Sequence, residues 1–75
     1  MNYIVMEYQT SNEDATSVLA SVHSTKSEAE QKYHTILSAA AVSGLKYHGA
    51  LLIDAFGMVY KSEHYPEYMP EPETT

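Results

Sequence analysis

Hydrophobic and polar positions alternate most clearly over Thr16 to His23 (TSVLASVH), where Val18, Ala20 and Val22 recur at a period of two and share one face of an extended strand. Before it, Tyr3 to Gln9 (YIVMEYQ) is β-branched and aromatic, and the turn formers Thr10-Ser11-Asn12-Glu13-Asp14 separate the two runs. A turn centred on Glu13 sets Ile4 opposite Val22, Met6 opposite Ala20 and Tyr8 opposite Val18, which predicts a hairpin with a consistent apolar face. The period then changes. Thr25-Lys26-Ser27-Glu28 has the form of a capping box, and Ala29, Tyr33, Ile36, Leu37 and Ala40 follow at spacings of three and four. Gly44 supplies a stop, so the spacing predicts a helix over Lys26 to Ser43.

Lys46 to Asp54 and Met58 to Tyr65 read as a second hairpin, joined through Ala55-Phe56-Gly57 with Gly57 in a left-handed position. Centring that turn on Phe56 pairs Ile53 with Val59, Leu52 with Tyr60, Ala50 with Ser62 and His48 with His64. Leu51, Ile53 and Val59 then share one face, and Leu52, Met58 and Tyr60 the other. The fold class expected is α+β: β-β-α-β-β, a single antiparallel sheet with one helix packed on one face. Residues 1 to 65 form this domain, and 66 to 75, acidic and with three prolines, form a tail expected to be disordered.

Both faces of the second hairpin are partly apolar, and one helix covers only one of them. The pattern therefore predicts a homodimer, or a partner protein, on the face left free. The residues expected there are Tyr3, Val5, Leu52, Met58 and Tyr60, with Tyr65 added from the seven tyrosines because Tyr is favoured at interfaces.

Composition narrows the function classes. At 44% hydrophobic and 19% charged, the chain is too apolar to be disordered throughout. Ten acids against four Lys and no Arg give a net charge of -6, which repels phosphate backbones and argues against direct nucleic-acid binding. Neither a leader nor a run of about 20 apolar residues is visible, so a soluble, cytoplasmic protein without a membrane span is expected. With no Cys, no G-x-S-x-G and scattered glycines, there is no nucleophile motif or phosphate loop, and an enzyme is not expected. No cofactor is implied. The alternative is a small-ligand or metal binder in which His48 and His64, paired across the hairpin, act with neighbouring Tyr at an oligomer interface; two His alone fall short of the usual three protein ligands.

The segment AEQKYHTILSAAA from Ala29 to Ala41, after Asn2-Tyr3-Ile4-Val5-Met6-Glu7 and before the acidic Pro-rich tail, resembles short proteins encoded by phages and integrated mobile elements of Gram-positive gut bacteria. The resemblance covers nearly the whole chain and carries no site residue with it. It implies a small acidic protein that acts by binding, as an accessory factor or as an inhibitor of a host defence protein.

Overall fold

A computed structural model describes residues 1–66. Its elements run β1 (Tyr3–Thr10), β2 (Thr16–His23), α1 (Lys26–Ala40), β3 (Tyr47–Asp54) and β4 (Val59–Tyr65). The four strands form one antiparallel sheet in the order β2-β1-β3-β4, and α1 packs on one face of it. The fold is therefore the α+β class that the periodicities predict. The tail that sequence assigns to disorder lies, from residue 67 on, outside the described residues.

The first hairpin has the register read from its turn, with Ile4 opposite Val22, Met6 opposite Ala20 and Tyr8 opposite Val18. Its loop is closed by the Ser11 hydroxyl, which accepts from the backbone N–H of Glu13 and of Ala15, while Asp14 takes a positive φ of 68°. Asp and Asn tolerate that conformation better than most residues.

Thr25 caps α1. Its backbone is extended, and its hydroxyl accepts from the Glu28 N–H at 3.2 Å. The helix ends at Ala40, short of the expected Ser43. The N–H groups of Val42 and Ser43 bond back three residues, to Ala39 and Ala40, so the last turn tightens before Gly44, at φ 73°, redirects the chain.

The core lies between α1 and the centre of the sheet. Ala29, Tyr33, Ile36, Leu37 and Ala40 are buried from the helix, and Val5, Ala50 and Leu52 from the sheet. The helix sits chiefly over β3 and β1 and reaches β2 least. Every residue of β2 is at least partly exposed as a result.

The second hairpin departs from its expected register. Ile53 does pair with Val59, but an irregularity follows, and Leu52 then faces Lys61, Ala50 faces Glu63 and His48 faces Tyr65. Tyr60 is the extra residue of this bulge. The cause is Asp54, whose carboxylate accepts from the N–H groups of Phe56 at 2.8 Å and Met58 at 3.0 Å and from the Tyr60 hydroxyl at 2.9 Å. Drawing Tyr60 toward Asp54 inserts one residue into β4 and turns every later β4 side chain to the opposite face.

Candidate functional site: an uncharged sheet face

With these registers, the face away from α1 can be read strand by strand. From β2 come Thr16, Val18, Ala20 and Val22; from β1 Ile4, Met6, Tyr8 and Thr10; from β3 Tyr47, Gly49, Leu51 and Ile53; from β4 Val59, Ser62 and His64. Among the described residues no Asp, Glu or Lys stands on it, although the chain carries ten acids and four Lys. The charged residues of the strands, Glu7, Asp54, Lys61 and Glu63, alternate onto the helix side. A chain of net charge -6 thus keeps one whole sheet face uncharged and largely apolar. Val18, Val22 and Val59 on it are each more than half exposed.

Gly49 shapes the middle of this face. A Cβ there would lie 2.7 Å from the Glu63 carbonyl oxygen and His64 Cβ, and 2.8 Å from Tyr8 Cζ. Only a glycine lets the Tyr8 ring lie against the β3 backbone, and Tyr8, Thr10, Tyr47 and His64 line a shallow hollow beside it.

The helix side holds the polar contacts. Glu7 accepts from the Gln9 amide at 3.0 Å and lies 2.7 Å from His48 Nε2. The His48 hydrogen bond holds the Glu7 carboxyl below its ordinary range against the opposing effect of burial. Tyr33 is fully buried, and its hydroxyl donates to Glu63 at 2.8 Å; burial first, then that carboxylate, push the phenol well up. Asp54 is held low, chiefly by the Met58 N–H, and its hydrogen bond raises Tyr60 in turn. Each of these groups spans two elements or closes a turn, and two of them also line hollows at the surface, Glu7 with Lys32 and Ile36, and Glu63 with His34 and Leu37.

The six residues that sequence nominated for the free face are placed elsewhere. Val5 and Leu52 lie beneath α1, 1% and 0% exposed, which removes them from any partner surface. Tyr3 and Tyr65 pack against the core from its margins. Tyr60 lies on the helix side, as alternation from Val59 requires, its ring 6.0 Å from that of Tyr3 and under Lys26 Nζ at 4.9 Å. Met58 is exposed in the turn before β4. The expectation that the free face carries apolar side chains holds, but through the opposite set of residues.

His48 and His64 are not brought together. His48 is 4% exposed on the helix side, whereas His64 pairs with Gly49 and belongs to the open face. The buried nitrogens without a partner, His48 Nδ1 and His64 Nε2, therefore lie on opposite sides of the sheet. Among the described residues no group of three or more His, Cys, Asp or Glu is placed to hold a metal, and no helix is long and apolar enough to cross a membrane.

Sequence reasoning missed Glu7, Gly49 and Asp54 as organising residues. Asp54 had a readable signal, an Asp just before a Gly-containing turn. Comparison with protein-family models, with curated proteins and with solved structures gives no match to this chain.

Proposed function

We propose that this protein is a small non-catalytic interaction module whose binding surface is the open sheet face. The observation that carries the reading is the removal of all charge from that face in a chain of net charge -6. Solvated sheet faces ordinarily alternate to polar residues, and a contiguous apolar face marks a contact surface. Depletion of charge at the centre, with Tyr and Met present, is the composition of interface cores, and Tyr8, Tyr47 and Met6 supply it here. The partner it suits is a host protein presenting an apolar patch. A phage or mobile-element setting, in which such a module inhibits a defence protein, rests on the sequence resemblance. A cytoplasmic location belongs to the same proposal, since the fold has no disulfide that would need an oxidising compartment.

Capture from an extract of a Gram-positive host, run in parallel with wild type and Met6→Glu, tests this reading. The expected result is a protein retained by wild type at near one-to-one ratio and lost by the variant, with helix content unchanged by circular dichroism. Equal capture by both would show that the open face is not the contact.

A further inference from the structure

The β2 edge is open and uncharged, and its backbone pattern identifies what pairs with it. Ser11 N–H donates to the Ala15 carbonyl at 2.9 Å, and these two residues continue the β1–β2 register. Hydrogen-bonded pairs recur every second residue in an antiparallel ladder, so Ser17, Leu19 and Ser21 bond to β1. The N–H and C=O groups of Thr16, Val18, Ala20 and Val22 consequently point outward, and among the described residues no strand lies beside them.

We propose that this edge pairs antiparallel with the same edge of a second copy, about a two-fold axis through Leu19. Outward groups meet outward groups wherever these even-numbered residues face one another, and all four take part only when Val18 faces Ala20 and Thr16 faces Val22 of the other copy, which sets Leu19 opposite its own symmetry mate. That register overlaps nearly the whole of Thr16–His23. Leu19 stands on the helix side at the margin of α1, which covers β2 least of the four strands, and it is 65% exposed. At a non-hydrogen-bonded antiparallel position side chains approach most closely, so each Leu19 covers the other.

Charge singles out a second copy of this chain. Two molecules at -6 repel wherever acids meet, and TSVLASVH offers no Asp, Glu or Lys to do so. The other edge, β4, carries the bulge at Tyr60 together with Lys61 and Glu63, the usual devices against edge pairing. A two-fold axis perpendicular to the sheet also sets the two uncharged faces side by side. The inference rests in that respect on the open face being a binding surface.

The test combines sedimentation equilibrium with cross-linking on the full chain. Wild type at about 100 μM, above the micromolar Kd range of a weak protein pair, is expected at twice the monomer mass. Ala20→Pro removes an outward N–H without touching the bonds to β1, since edge strands accept Pro where the N–H faces solvent. It is expected to give a monomer with an unchanged far-UV spectrum. Leu19→Cys, in a chain without other Cys, is expected to form a disulfide dimer on mild oxidation. A monomeric wild type overturns the edge pairing and leaves the open-face reading standing. A dimer that survives Ala20→Pro but is lost in Met6→Glu overturns it in favour of face-to-face association. Failure of Leu19→Cys to cross-link within a dimeric protein overturns it as well.

Discussion

The two hairpins have nearly the same strand lengths but differ in how their outer edges are protected. In β3–β4 the inner strand lies under α1, with Leu52 fully buried, β4 is tied to the helix by the Tyr33–Glu63 hydrogen bond, and its outer edge is interrupted by a bulge and bears charge. β1–β2 shares the core only through β1; its outer strand has no bulge, no charge and little cover from the helix. One helix of fifteen residues is too narrow to roof four strands, and it lies where the large apolar side chains are. Stability is thus concentrated at one end of the sheet and unsatisfied surface at the other. The lesson is that exposed hydrophobic residues here mark the part of the molecule left for contact, while the buried ones mark the part that folds it.

The largest test of this asymmetry compares a leucine from each hairpin. Leu52→Ala is expected to cost about 2–5 kcal/mol, a large share of the stability of so small a domain, because it opens a cavity in the core. Leu19→Ala, measured by urea denaturation of dilute protein, is expected to change stability by less than about 0.5 kcal/mol, as surface substitutions do. Similar losses at the two positions would break the comparison.

A smaller effect is expected at the meeting of the hairpins. Gly49→Ala sets a methyl 2.7 Å from the Glu63 carbonyl, a backbone atom that cannot move aside as a side chain would. A loss of about 1–3 kcal/mol is expected, typical of overpacking. An unchanged melting temperature would show that β4 can shift freely and that the second hairpin is less rigid than its contacts indicate.

The smallest effect concerns pH. Glu7 is held below its ordinary carboxylate range by His48, so its folded form binds a proton less readily than the unfolded chain does. The stability it contributes is present above the unfolded value of about 4.3 and is lost as pH falls through the lowered folded value. Glu7→Gln is expected to flatten the acid limb of the stability curve below that point. An identical acid limb in the variant would detach Glu7 from the link between β1 and β3.

Much of the fold was legible because its signals are local. The capping box at Thr25, the helical spacing from Ala29 to Ala40, and the turn centred on Glu13 each lie within one or two elements, and the helix core and the first register follow from them. The second register was displaced by one residue because its cause is not a pattern of polarity. Asp54 gathers two backbone N–H groups and the Tyr60 hydroxyl, and that arrangement exists only once the turn has closed. From this one bulge it follows that His48 and His64 part to opposite faces.

The choice of which apolar face to cover was beyond any local reading. Ile4 and Val5, or Leu51 and Leu52, are equivalent as letters, and alternation states only that they face opposite ways. Burial of Val5 and Leu52 under Tyr33 and Ile36 becomes determinate when β1 inserts between β2 and β3, a pairing between residues some fifty positions apart in Tyr3 and Asp54. Local propensities act through neighbours along the chain, whereas the identity of the free face depends on how distant segments share one helix, which is a property of packing alone.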